Sequence, residues 1–345
     1  MVNLLPNIRF RAALATAATA TMLPLLGACD PGGVSLGNDW SGAQVFVLAK
    51  VNGLTTVVGI DPRAHRAEPL AVVPSQSDDD DVLSPRITRL TDGRWMVTIP
   101  KKNGHASTVY AVDTAGHGLT GVGTLPSGHT LLGAGSAAVG LASSATSSTS
   151  HGQALVLDPA SLHQREALVP PFDATLASGG PGGACIAQVS NTDTRVSTLD
   201  PARLTFSPAA SLNGFQAQAL DCASGQLAVG GSTNGATGKV TLHVTHQGPA
   251  TVVAASTGDI ARIASTPQGL LAAVVLPQGV ELIRLSPDGQ RELGRTSISG
   301  LSGVDGMTSA SGTEILTHDT MAAAVNLTDG TVSTFSLPGT LLDAS

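Results

Sequence analysis

A short apolar strand that ends in a tight turn recurs along this chain, and that recurrence constrains the fold more than any other feature. Clear copies are Val57-Val58-Gly59-Ile60-Asp61-Pro62, Tyr110-Ala111-Val112-Asp113, Leu155-Val156-Leu157-Asp158-Pro159 and Val196-Ser197-Thr198-Leu199-Asp200-Pro201. Weaker copies are Leu242–His246, Leu282-Ile283-Arg284-Leu285-Ser286-Pro287 and Ala324-Val325-Asn326-Leu327-Thr328-Asp329-Gly330. Anchored at positions 61, 113, 158, 200, 246, 286 and 328, the copies are 52, 45, 42, 46, 40 and 42 residues apart. The turn chemistry has a physical basis. Aspartate accepts hydrogen bonds from backbone amides two residues on, proline presets φ, and glycine tolerates positive φ.

An apolar strand lies upstream of each anchor, at Val45–Ala49, Trp95–Ile99, Ala138–Ala142, Cys185–Val189, Leu227–Gly230, Leu270–Val275 and Glu314–Thr317. Another follows the turn, as at Leu70–Val73, Ala167–Val169, Thr251–Ala254 and Val332–Leu337. With a Gly- and Thr-rich segment leading to the next copy, the unit has four strands. Seven such units predict an all-β chain: a seven-bladed β-propeller of four-stranded antiparallel blades over residues 43–345. A solenoid needs a shorter coil, and a pair of sandwiches has no fixed period. Composition agrees, because 40 glycines and 3% aromatics suit short strands and turns better than a helical bundle. The terminal Thr340-Leu341-Leu342-Asp343-Ala344-Ser345 echoes Thr130-Leu131-Leu132-Gly133-Ala134-Gly135. The first blade starts at its second strand near Gln44 unless Val34–Trp40 supplies the missing one; the simpler expectation is that the terminal residues form an innermost strand that completes this blade and latches the ring.

This pattern resembles the bacterial periplasmic seven-bladed propellers, the YVTN-type and quinoprotein-like repeats. The resemblance rests on period and turn chemistry. The tryptophan-docking signature of quinoprotein repeats and the Gly-His…Trp-Asp signature of WD40 repeats are both missing, since Trp40 and Trp95 are the two tryptophans.

The N-terminus sets location. Arg9 and Arg11 precede an apolar run from Ala12 to Leu26, too short for an ordinary membrane span but right for a signal peptide. It ends in Leu26-Gly27-Ala28-Cys29, which looks like a bacterial lipobox. Residues 1–28 are thus expected to be removed and Cys29 lipidated, holding the protein on the periplasmic side of a membrane through its acyl chains. Asp30 resembles the inner-membrane retention signal of enteric-type lipoproteins, and residues 29–42 read as a flexible tether.

Net charge is −7, and removing Arg9 and Arg11 takes 18 basic residues to 16 against 25 acidic ones, or −9. Without a basic stripe, nucleic acid is not an expected partner. Cys185 and Cys222 fall in neighbouring units, the fourth and fifth, and can form a disulfide in an oxidising compartment or remain two buried thiols.

In a propeller of this topology, the loops entering each inner strand share one face with those between second and third strands. The entry loops carry Asp78–Asp81, His129, Asp173, Asp259 and Asp305; the other set carries Lys101–His105, His151, Asn191, Asp193, Asn234 and His318-Asp319. Asp173, Asp259, Asp305 and His129 are the candidate metal ligands, an oxygen-rich set that would favour Ca²⁺ or another divalent cation. No cofactor is otherwise implied. Nucleophile-elbow, P-loop, dinucleotide-binding and HExxH motifs are absent. The leading expectation is therefore non-enzymatic: a membrane-anchored scaffold or assembly subunit presenting a rigid disc to an envelope protein. The alternative is a metal-dependent lactonase-like hydrolase or small-ligand binder at the channel mouth.

Overall fold

The computed structural model describes residues 34–74, 84–101, 105–144, 151–223, 225–233, 240–245, 251–256, 258–287 and 291–344. Cys29, Asp30, Asp78–Asp81 and Asn234 lie outside these residues.

Alternation of small and branched apolar residues with polar ones, broken by Asp, Gly and Pro turns, yields short antiparallel strands. The first blade contains β1 (Val45–Val51), β2 (Leu54–Asp61) and β3 (Arg66–Val72). The second contains β4 (Arg86–Arg89), β5 (Trp95–Ile99), β6 (Ser107–Asp113) and β7 (Gly118–Leu125), and the third β8 (Thr130–Ala134), β9 (Ala137–Ala142), β10 (Gln153–Leu157) and β11 (Gln164–Leu168). The fourth contains β12 (Leu176–Gly180), β13 (Gly183–Val189), β14 (Asp193–Asp200) and β15 (Thr205–Asn213). The fifth contains β16 (Phe215–Asp221), β17 (Leu227–Thr233), β18 (Val240–Thr245) and β19 (Thr251–Ser256). The sixth contains β20 (Asp259–Thr266), β21 (Gly269–Leu276), β22 (Gly279–Leu285) and β23 (Glu292–Ile298). Finally come β24 (Gly306–Ala310), β25 (Thr313–His318), β26 (Met321–Asn326), β27 (Val332–Ser336) and β28 (Thr340–Ala344).

Six sheets are each made of four consecutive strands, and these are the blades that stand complete within one stretch of chain. The remaining sheet is composite, with order β28-β1-β2-β3, so the chain's last strand supplies the inner position of the first blade. The first strands neighbour one another in the sequence β28, β4, β8, β12, β16, β20, β24 and back to β28, which closes a ring.

Packing explains the ring, because the buried clusters sit between blades rather than within them. Leu90, Met96 and Val109 of the second blade pack with Leu131, Leu155 and Leu157 of the third. Leu271, Leu282 and Ile298 of the sixth meet Leu316, Ala323 and Val325 of the next. The largest cluster joins Val45, Leu48 and Ile60 to Ile87 and Val97 on one side and Ile315 and Ala324 on the other. A single blade would leave both faces wet, so each depends on its neighbours.

The anchor turns share one hydrogen-bond pattern. Asp61 accepts from the amides of Arg63 and Ala64, Asp113 from Ala115 and Gly116, Asp158 from Ala160 and Ser161, and Asp200 from Ala202 and Arg203. Four residues after each anchor, His65, His117, Leu162 and Leu204 adopt positive φ of 51 to 57°. In the last repeat the equivalent anchor is Asn326 rather than position 328. Asn326 accepts from the Thr328 amide, and Gly330 carries the positive φ of 75°. Asparagine replaces aspartate there because the turn needs only a side-chain carbonyl at that height.

Residues 34–41 correct the expectation of a free tether. Val34 is 5% and Trp40 4% exposed, and Trp40 stacks on His117 of the second blade with ring centroids 5.8 Å apart. The Gly37 amide donates to the Pro69 carbonyl at 2.7 Å, and Asp39 pairs with Arg66. Composition suggested a linker, but the apolar area of two side chains outweighs the glycine and serine around them.

Candidate functional site

The first strands wall the central channel, and charged side chains on them are conspicuous in otherwise small or apolar sequence. Asp343 on β28 accepts from Arg86 Nη1 at 2.8 Å and from the Ile87 amide at 2.7 Å, clasping the first blade to the second. Its side chain is 12% exposed. Around the ring, Gln218 of β16 donates to Asp259 Oδ1 at 3.1 Å and accepts from the Ile260 amide at 3.1 Å, clasping the fifth blade to the sixth.

The densest constellation surrounds Asp305, in the loop entering β24. Asp305 Oδ2 lies 2.7 Å from His318 Nδ1, at the end of β25. Arg262 of β20 reaches across from the neighbouring blade and donates to the Asp305 main-chain oxygen. Partial desolvation lowers the Arg262 pKa below its ordinary value, against the opposing pull of Asp305 and Asp343. A guanidinium remains charged in either case. Gly303 backs the imidazole so closely that a Cβ there would stand 2.6 Å from His318 Cε1. A carboxylate thus fixes one ring nitrogen, a glycine fixes the ring plane, and a cation from the next blade stands beside them. The His318 side chain keeps 30% of its surface open.

The four candidate ligands from the sequence do not converge. Among the described residues no three His, Cys, Asp or Glu side chains are grouped to hold a metal. Asp173 accepts from the Ser144 amide at 2.9 Å and from its hydroxyl, Asp259 is taken by Gln218, and Asp305 by His318. His129 is 1% exposed, and its Nδ1 faces the main-chain oxygens of Pro126 and Ser127 at 3.1 and 3.0 Å. Two carbonyls require that nitrogen to carry the proton, while burial lowers the pKa of the ring. His129 is a neutral packing residue, not a mouth ligand. The entry loops place these groups on separate blades, and each finds a local partner first.

His318 was legible as a loop residue, but Arg86, Arg262 and Asp343 were missed. Their signal was available: an arginine or aspartate interrupting an innermost strand, as in Asp259-Ile260-Ala261-Arg262. Away from the channel, the Cys185 and Cys222 sulfurs form a disulfide between the fourth and fifth blades, with Cα atoms 6.2 Å apart.

No family model and no curated protein matches this chain. Solved structures do. A protein of unknown function from Desulfotomaculum acetoxidans aligns with a TM-score of 0.58 at 11% identity, covering 87% of this chain and 98% of that one. A candidate 6-phosphogluconolactonase from Bacteroides uniformis aligns with a TM-score of 0.55 at 13% identity over 86% of this chain and 97% of that one. The periplasmic gluconolactonase of Pseudomonas aeruginosa aligns with a TM-score of 0.55 at 14% identity over 87% and 97%. At such identities the likeness bears on architecture alone, and it agrees with the sheets and their order: this chain is an all-β propeller of four-stranded antiparallel blades.

Proposed function

We propose that this seven-bladed propeller, held on a bacterial membrane through lipidated Cys29, hydrolyses a small ester or lactone at its channel mouth. The observation that carries the reading is the Asp305–His318 pair at 2.7 Å with Arg262 beside it. In this reading Asp305 holds the tautomer in which Nδ1 carries hydrogen, leaving Nε2 to draw a proton from water as general base. The water oxygen attacks the ring carbonyl, Arg262 stabilises the oxyanion, and the C–O ring bond breaks. The imidazolium then returns its proton to the departing alkoxide, giving the open hydroxy acid. This chemistry needs no metal, which is where the reading departs from the metal-dependent alternative of the sequence. Two of the similar structures, from Bacteroides uniformis and Pseudomonas aeruginosa, carry names of lactone hydrolases.

A scaffold role is less well supported by the surface. The exposed large apolar residues Leu36, Val169, Leu293 and Leu342 fall on separate blades and edges, so they make no continuous patch among the described residues.

The test is hydrolysis of glucono-δ-lactone, followed by proton release, with the processed chain. His318→Gln and Asp305→Asn should each lower kcat/KM by ~100-fold or more, and Gly303→Ala should lower kcat by displacing the ring. Wild-type turnover equal to that of His318→Gln would remove the catalytic assignment. Co-purification of one constant envelope protein with no turnover would favour the scaffold instead.

A further inference from the structure

A cavity of about 70 Å³ opens at the end of the molecule opposite the channel mouth, where the sixth blade meets the last. Leu270, Leu271, Leu285, Leu293 and Leu327 form most of its walls, Thr266 and Gln268 add two polar side chains, and one charged group, Arg284 of β22, faces into it. Gly269 forms the floor at φ 137°; a Cβ there would collide with the Leu285 oxygen at 2.0 Å. Only glycine fits this close approach of the two strand backbones at the cavity's edge.

Arg284 has unused bonding capacity. Its Nη1 donates to the Leu327 carbonyl at 2.9 Å. Its Nε is buried and has no acceptor. A guanidinium N–H removed from water without an acceptor loses hydration that nothing replaces. The Nε–Nη2 edge is the fork that holds two oxygens of a carboxylate in parallel. Thr266 spends its hydroxyl hydrogen on the Gly269 carbonyl at 2.9 Å, and the five leucines that make up most of the wall favour an apolar tail.

We infer that this cavity is a second binding site, independent of the channel mouth, for a small monocarboxylate with a short branched apolar tail. The carboxylate caps the Arg284 fork and the tail fills the leucine-lined space. An inorganic anion would satisfy the fork but leave the walls empty.

Calorimetric titration of isovalerate into the whole chain tests this, with isovaleramide as the neutral counterpart of the same shape. Isovalerate should bind saturably in the millimolar range or below, and isovaleramide at least ~tenfold more weakly, because it cannot supply both oxygens. Arg284→Met should abolish binding. Leu293 lies at the rim and is 47% exposed, so Leu293→Trp should block the cavity without disturbing the fold. His318→Gln should bind isovalerate like the wild type, which separates this site from the proposed hydrolytic one. Equal affinity for acid and amide, no binding of isovalerate, or unchanged binding by Leu293→Trp would overturn the inference.

Discussion

At the scale of single residues, the most informative side chain is one with no place in the channel. Glu314 on β25 is fully buried, takes a hydrogen bond from Ser309, and leaves Oε1 without a partner. Burial pushes its carboxyl up to about 8, against the opposing bond from Ser309. The unfolded chain releases this proton near 4.5, the ordinary value, whereas the folded one keeps it. Stability from this group is complete below that value and falls as pH rises through about 8. Glu314→Gln should therefore unfold at nearly the wild-type temperature at acid pH. At alkaline pH it should be more stable by as much as a few kcal/mol. Thermal unfolding across the pH range checks this, and parallel curves for the two proteins would refute the assignment. Asp221 shows the same direction, raised by burial and held by Ser178 and Ser265 of the adjoining blades. Neither carboxylate stood out in the sequence. Both lie in ordinary strand positions, and Asp221 meets its partners only through the adjoining blades.

Among elements, β28 decides closure. It pairs antiparallel with β1, Val47 opposite Ala344 and Lys50 opposite Thr340, and its Asp343 reaches β4. Gly306 of β24 lies so near that a Cβ there would stand 2.2 Å from Ala344 Cβ. Deleting residues 339–345 removes the inner strand of one blade, one ladder and both lateral contacts. The melting temperature should fall by well over the ~2–4 °C that one kcal/mol represents in a domain of this class. An unchanged melting temperature would mean that the ring closes without this strand. The echo of Thr130–Gly135 in the last residues made this strand legible, because the same Leu-Leu pair recurs in both. The segment over residues 34–41 was not legible. Its glycine and serine content describes local flexibility, whereas the burial of Trp40 depends on His117, 77 positions later.

For the whole molecule, stability is a sum of interfaces between blades, and the disulfide fastens one of them. Cys185 and Cys222 are 37 residues apart and both buried. On the chain-entropy account, closing a loop of that size contributes ~3–4 kcal/mol. The double variant Cys185→Ala, Cys222→Ala should lose about that much in urea unfolding, and reductant should no longer alter its midpoint. Equal midpoints for wild type and variant without reductant would show that the link adds nothing. The N-terminal segment bears on placement as well. Cys29 precedes Val34 by five residues, a reach of at most ~18 Å. A lipid on Cys29 would therefore hold the rim of the first blade close to the bilayer.

The sequence by itself determined the strands, the turns and the period, since alternation, Asx bonding and positive φ are local properties that each segment carries alone. It also determined that the units must stack, because none has enough apolar area to stand by itself. Which polar groups meet was decided by tertiary structure. Asp305 and His318 are 13 positions apart, Arg262 is 43 from Asp305, and Asp343 is 257 from Arg86. Those meetings depend on the angle between blades and the closure of the ring, which no local pattern encodes. For the same reason the expected ligand set dispersed: sharing a face of the disc is a matter of topology, but sharing an ion is a matter of a few ångströms.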